Sequence, residues 1–185
     1  MAKAMAALAA MVSMACGGTE GLTGEIDVRL VWHGAWSEAD KANVAAYVDG
    51  LAPAGYFAGF AYRNLSPSFR VVASADARLT VDLWAPEADG APSGAALSRI
   101  AWHGGDEESG RLAITISPLA CYSWQEAAYA LAHELVETAS DPWVEDKARE
   151  IADPCVFDGY ALFTIAGTEQ RAPKYLSSSG CWPKQ

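Results

Sequence analysis

The sequence is short of basic residues. Its 185 residues include 13 lysines and arginines against 23 aspartates and glutamates, a formal net charge of −10. A nucleic-acid-binding protein needs a basic face to meet phosphates, so this balance argues against nucleic acid as a partner. The sequence also lacks internal repeats, a phosphate-binding glycine loop and coiled-coil heptads. It therefore carries no sign of a repeat protein, a P-loop nucleotide-binding protein or a coiled coil.

Long apolar runs are missing as well. The run at residues 1–15 is too short to span a bilayer as a mature anchor. One lysine, an apolar stretch and small residues before Cys16 are typical of a secretion signal. The run resembles a bacterial lipoprotein signal, in which Cys16 becomes the lipidated first residue; a plain cleaved signal and a cytosolic extension are the alternatives. We expect an exported protein, either secreted or held at the cell envelope only through Cys16, with a flexible tether at 16–24 and one domain at 25–185.

Cysteine is scarce, with four in the chain. In an oxidising compartment Cys121, Cys155 and Cys181 can pair, and their number is odd. We favour a disulfide between Cys155 and Cys181, because it ties the C-terminal tail to the end of an acidic loop and leaves Cys121 buried. The other two pairings stay open.

The remaining composition is that of an ordinary globular protein, with 51% hydrophobic and 19% charged residues. Alternating apolar residues predict strands near 26–33 and 111–117. Further strands are expected near 69–73, 78–84, 98–102 and 156–165. A capped helix is predicted from Ser37 to Leu51. These elements indicate an α+β fold in a single domain, with a mixed or antiparallel sheet and two main helices.

The second helix organises the chain. Ser123 and Glu126 form a capping-box pattern, and Pro142 stops the helix, so we predict helix from about 124 to 139. On a helical projection, small and apolar residues share one stripe: Ala128, Leu131, Ala132, Leu135 and Ala139. His133 and Glu137 project together from the far side, with Glu134 beside them.

This His-Glu-x-x-Glu pattern is close to the His-Glu-x-x-His of zinc hydrolases. Residues four apart on a helix can share one cation, and the glutamate after the histidine can deprotonate a bound water. A carboxylate in place of the second histidine makes the site less specific for zinc over manganese or calcium. The alternative is the ordinary polar face of a surface helix.

Acidic residues follow the helix closely, and like charges so near one another repel unless solvent or a cation separates them. They are Asp141, Glu145, Asp146, Glu150 and Asp153. The clustering favours metal binding. A third ligand stays open among Asp141, Glu150 and Asp153. His33 and His103, each between a tryptophan and a glycine at a predicted strand end, are further candidates, with His103 the more favoured auxiliary residue.

The segment from Ala132 to Pro142, with Glu150 to Cys155, resembles a pattern in uncharacterised secreted bacterial proteins: His-Glu-Leu-x-Glu, Thr-Asp-Pro and Glu-Ile-Gly-Asp-x-Cys. This chain has Ser140 and Ala152 where that pattern has threonine and glycine. Residues 30–37 faintly resemble the opening of phosphate-induced, EXORDIUM-like proteins. The first resemblance implies a zincin-like helix, with His133 and Glu137 as metal ligands and Glu134 as general base.

The sequence therefore supports three alternative hypotheses about function. The first is an exported zinc-dependent hydrolase acting on a peptide or protein. The second is a non-catalytic surface lipoprotein with a structural cation, calcium being the alternative to zinc because of the many carboxylates. The third is an inactive hydrolase relative that serves as a binding module.

Overall fold

A five-stranded sheet and two α-helices form the centre of the computed structural model, which describes residues 21–92, 100–144 and 151–183. The helices are α1 (Glu38–Leu51) and α2 (Trp124–Ser140), with 3-10 helices at Tyr56–Arg63, Pro118–Ala120 and Asp153–Asp158. The sheet strands are β1 (Gly24–His33), β2 (Pro67–Val71), β3 (Leu79–Trp84), β4 (Ala101–Asp106) and β5 (Arg111–Ile116). Two hairpins complete the fold: β6 (Tyr160–Ile165) with β7 (Thr168–Pro173), and β8 (Tyr175–Ser177) with β9 (Gly180–Trp182). The predicted α+β fold with a mixed sheet is confirmed.

The sheet has the strand order β2-β1-β3-β5-β4. β1 pairs in parallel with β2 and β3, and β3 pairs in parallel with β5. β4 runs antiparallel to β5 at the edge, with His103 opposite Ile114. Opposed residues of such a pair point to the same face. Because Ile114 is fully buried under the helices, His103 also points into the protein.

Both helices begin and end at the signals that the sequence carries. The Ser37 hydroxyl accepts a hydrogen bond from the backbone N–H of Asp40, and Ser123 accepts one from the N–H of Glu126. α2 ends at Ser140, directly before Asp141 and Pro142. The helices pack on one face of the sheet and against each other, and the β6–β7 hairpin packs on α2.

Burial around α2 differs from the amphipathic pattern predicted for it. The apolar stripe is buried as expected, but Glu134 and Glu137 are only 5% and 4% exposed. β4 packs against α2, and the backbone N–H of Asp153 donates to Glu137 Oε1. Buried carboxylates are costly unless they are paired or bind a cation, so this burial directs attention to their partners.

Three other predictions need correction. Residues 153–158 form a 3-10 helix rather than the start of a strand, because Pro154 is at its first turn and Gly159 follows with φ 79°. The strand predicted at 98–102 runs further, through His103-Gly104-Gly105 to Asp106, and residues 98 and 99 lie outside the described residues. The fold also begins before residue 25: Leu22 is buried, and its N–H donates to the carbonyl of Ala139.

The predicted signal at 1–15 and the lipidation site Cys16 lie outside the described residues, so both stay predictions. Within the described ranges, none of the helices combines the length and apolarity that crossing a membrane requires.

Candidate metal centre

Three predicted ligands meet at the C-terminal half of α2. His133 Nε2 lies 3.3 Å from Glu137 Oε1 and 3.2 Å from Asp153 Oδ1. The backbone N–H of Asp153 also donates to Glu137 Oε1, at 3.2 Å. Glu137 is buried, whereas the side chains of His133 and Asp153 are 18% and 64% exposed. This group, which we call the outer group, is therefore open to solvent on one side.

A second group shares Glu137 and lies deeper. His103 Nδ1 is 3.1 Å from Glu134 Oε2 and 3.7 Å from Glu137 Oε2. All three side chains of this inner group are nearly inaccessible to solvent. Glu137 thus directs one carboxylate oxygen to each histidine, Oε1 to His133 and Oε2 to His103. The two groups form one continuous cluster.

The position of a proton in the inner group follows from hydrogen-bond chemistry. His103 Nε2 lies 3.2 Å from the backbone carbonyl oxygen of Asp141. A carbonyl can only accept, so Nε2 carries a hydrogen. The contact between Nδ1 and Glu134 then requires a second proton, either on Nδ1 or on the carboxyl group. His103 and Glu134 therefore hold a proton between them beside Glu137.

Burial and charge act in opposite directions on these groups. Burial lowers the pKa of His103, but the hydrogen bond to Glu134 and the charges of Glu134 and Glu137 outweigh it and raise that pKa above its ordinary value. Burial raises the pKa of Glu134, although the hydrogen bond with His103 opposes the rise. Burial also lowers the pKa of His133, and the bond and charge of Glu137 more than compensate, so its pKa is raised. The cluster favours protons or another cation between its acids.

Close packing brings β4 to the end of α2. A Cβ built on Gly105 would lie 2.7 Å from both the Pro142 carbonyl oxygen and the Trp143 ring. Only glycine permits this approach, which places the carbonyl of Asp141 against His103. The segment that follows is held by the disulfide between Cys155 and Cys181. That disulfide, favoured from the sequence, fixes the 3-10 helix on which Asp153 lies.

The other predicted site residues have different places. Asp141 is buried, belongs to neither the outer nor the inner group, and contributes its backbone carbonyl to His103. Glu150 lies outside the described residues, so its role as a ligand stays a prediction. His33 pairs with Asp82 at 2.7 Å and stacks on Trp84, and does not join the cluster. Cys121 is free and buried, as expected.

Potential metal-ligand groups are thus present: the outer group has one nitrogen and two carboxylates, and so has the inner group. Sequence reasoning missed two contributors, the carbonyl of Asp141 and the N–H of Asp153. Both belong to the backbone, so no side-chain pattern could have identified them.

Comparison with known proteins gives no further assignment: no protein-family model matches this chain, and no curated protein or solved structure is significantly similar to it.

Proposed function

We propose that this protein is an exported metal-dependent hydrolase, a zinc peptidase, with the cation held by the outer group. His133, Glu137 and Asp153 are the ligands in this proposal, and Glu134 is the general base. The inner histidine, His103, positions Glu134.

One observation carries the proposal. His133 Nε2 bears at most one hydrogen, yet it faces two carboxylate oxygens at 3.3 and 3.2 Å. One hydrogen can serve both oxygens only as a bent bond shared between them, whereas a cation between the three atoms contacts each of them directly. Donor atoms about 2.0–2.1 Å from a tetrahedral zinc ion stand about 3.3–3.4 Å apart, which agrees with the two distances from His133 Nε2.

The same protein provides a reference for a simple ion pair. His33 Nε2 lies 2.7 Å from Asp82 Oδ1, within the range of about 2.7–2.9 Å usual for a charge-assisted hydrogen bond. The two contacts of His133 are about half an ångström longer than this pair. The spacing of His133 from the two carboxylates therefore leaves more room for an ion than the spacing of His33 from Asp82 does.

The donor set supports zinc over calcium. Calcium prefers six to eight oxygen ligands, whereas zinc readily accepts a histidine nitrogen with carboxylates and keeps a fourth position for water. The exposed side of the outer group, beside His133 and Asp153, supplies access for that water and for a substrate.

The chemistry assigned to this chain is proton transfer. Bound zinc would lower the pKa of a water molecule towards about 7. Glu134 follows His133 directly in the sequence and would accept the proton of that water and deliver it to the leaving group. His103 holds Glu134 in place at 3.1 Å and, through its own hydrogen on Nε2, is itself fixed by Asp141.

Metal content and activity together test the proposal. We expect one zinc per chain by elemental analysis, hydrolysis of a mixture of unstructured peptides, and a Glu134→Gln variant that keeps zinc but loses hydrolysis. Glu107→Gln changes an exposed glutamate in the β4–β5 turn and is the matched control. Full activity of Glu134→Gln would contradict the assigned base, and purified protein that binds no metal would contradict the whole proposal.

A second candidate function is a structural cation site in a non-catalytic binding protein. The observation in its favour is that Glu134 is buried and paired with His103, a contact that competes with proton transfer to water. In that case the protein binds the cation, and its melting temperature rises with it, but neither the wild type nor Glu134→Gln hydrolyses peptides.

A further inference from the structure

A cavity of about 630 Å³ lies on the N-terminal half of α2. Its volume is within the range of about 300–1,000 Å³ that is usual for small-ligand sites. Most of its lining is apolar or aromatic, and the principal contributors are Tyr47, Ile100, Leu119, Trp124, Tyr129 and Tyr160. The cavity is distinct from the metal cluster, and the proposed function does not use it.

The elements that supply the metal cluster also line this cavity. On α2, Ala130 lines the cavity and precedes Glu134 by four residues, one helical turn or about 6 Å along the axis. Residues four apart lie on the same side of a helix, so this cavity residue and Glu134 face the same way. Ile100 comes three residues before His103, and Tyr160 follows the 3-10 helix that starts at Asp153. The cavity and the cluster are therefore supplied by neighbouring stretches of the same elements.

The lining determines what the cavity can recognise. Aromatic rings from three elements provide faces and edges against which another ring or a long aliphatic chain packs well. Charged residues of both signs, Glu126, Glu169 and Arg171, contribute to the lining, and all three are exposed. The Arg171 guanidinium is already placed 4.5 Å from the centre of the Tyr160 ring. Because the lining carries charges of both signs, it does not favour a ligand of one charge. The apolar wall instead favours ligands that are large and apolar.

We propose that this cavity binds a large apolar side chain, with aromatic side chains preferred, of a polypeptide held along α2. Its place beside a bond cleaved at the outer group rests on the proposed function. The binding of the side chain itself does not, because no cavity residue belongs to the metal cluster.

The first experiment measures binding without catalysis. N-acetyl-phenylalaninamide and N-acetyl-alaninamide are titrated into metal-free and zinc-loaded protein, and the methyl signals of Ile100, Leu119 and Ala130 are followed by NMR. We expect the phenylalanine compound to bind at least tenfold more tightly in both forms, with shifts at these methyl groups. Equal affinity of the two compounds, or shifts elsewhere only, would overturn the proposal.

A variant pair tests the position. Ala130→Phe places a ring in the cavity and should weaken binding of the phenylalanine compound at least tenfold. Ala42→Phe adds the same ring on the exposed side of α1 and should leave the affinity unchanged. If Ala130→Phe does not fold, Leu119→Ser is used instead, because Leu119 lines the cavity and is 45% exposed. This variant should also weaken binding of the phenylalanine compound. Unchanged affinity in the folded cavity variant contradicts the proposal.

The same variants separate this inference from the proposed function. If the protein hydrolyses peptides, wild type should prefer cleavage next to large apolar residues, and the cavity variant should lose that preference while keeping its zinc. If the protein binds the phenylalanine compound but hydrolyses nothing, the cavity assignment stands and the hydrolase assignment fails. If the protein hydrolyses peptides without any side-chain preference, the hydrolase assignment stands and the cavity assignment fails.

Discussion

The sharpest test of the cluster is the replacement of Glu137 by glutamine. Glu137 is the residue that both groups share, since its two oxygens face His133 and His103. Glutamine keeps the size of the side chain and an oxygen that can still accept from the N–H of Asp153. It removes the negative charge that a cation needs. The substitution therefore separates metal binding from the hydrogen bonding that holds the fold.

The magnitude follows from linkage. Zinc at one hundred times its dissociation constant stabilises the native state by about 2.7 kcal/mol. For a chain of this length, each kcal/mol shifts the melting temperature by about 2–4 °C, so the wild type should gain about 5–11 °C. If glutamine weakens zinc binding about a hundredfold, the same zinc concentration contributes only about 0.4 kcal/mol, or about 1–2 °C.

Calorimetry of metal-free and zinc-loaded protein measures the gain in melting temperature with zinc, in wild type and in Glu137→Gln. Glu107→Gln should show the full wild-type gain. Glu137→Ala should in addition lose stability without metal, by about 1–3 kcal/mol, because it leaves the N–H of Asp153 without its acceptor. A full zinc gain in Glu137→Gln would refute the assignment of this carboxylate as a ligand. No gain in wild type with zinc would refute the metal site.

Further predictions concern the supports of the site. Replacing Cys155 and Cys181 by serine opens a loop with a sequence separation of 26 residues. The change should lower the free energy of unfolding by about 3.5 kcal/mol through chain entropy, measured by denaturant unfolding, and should weaken zinc binding, measured by titration. Unchanged zinc affinity would show that the loop needs no disulfide to bind the ion. Gly105→Ala should destabilise the protein by about 1–3 kcal/mol through overpacking against the turn after α2, whereas Gly104→Ala, where a Cβ meets nothing within 4 Å, should cost much less; equal losses in thermal unfolding would contradict the close approach. Ser123→Ala should cost about 1 kcal/mol of stability through loss of the α2 cap, and no change would show that the cap is redundant.

Local signals determined what could be predicted of the fold. Ser123, Glu126 and Pro142 lie within a few residues of the ends of α2, and the helix bounds were correct to one residue. The β6–β7 hairpin was missed, although Ala166 and Gly167 with φ of 50° and 80° form a turn that suits a two-residue hairpin loop. The polar residues of β7 show no alternation, so only the turn could have revealed it.

The site was harder to predict because it depends on contacts between distant residues. The pairing of His133 with Glu137 follows from helical spacing. The approach of His103 depends on the register of β4 beside β5 and on the close packing of Gly105, neither of which has a local signature. Which downstream carboxylate reaches His133 depends on the path of the chain after α2, and the sequence does not specify that path.

The disulfide determines when, during synthesis and oxidation, the segment that carries Asp153 is secured. Cys181 lies in β9, at the end of the described chain, and its bond to Cys155 secures the segment on which Asp153 lies. A nascent chain exposes its histidines and helix residues before β9 has been synthesised. The segment that carries Asp153 is therefore secured only after β9 has been synthesised and the two thiols are oxidised, so an ion bound by all three ligands would report an oxidised chain.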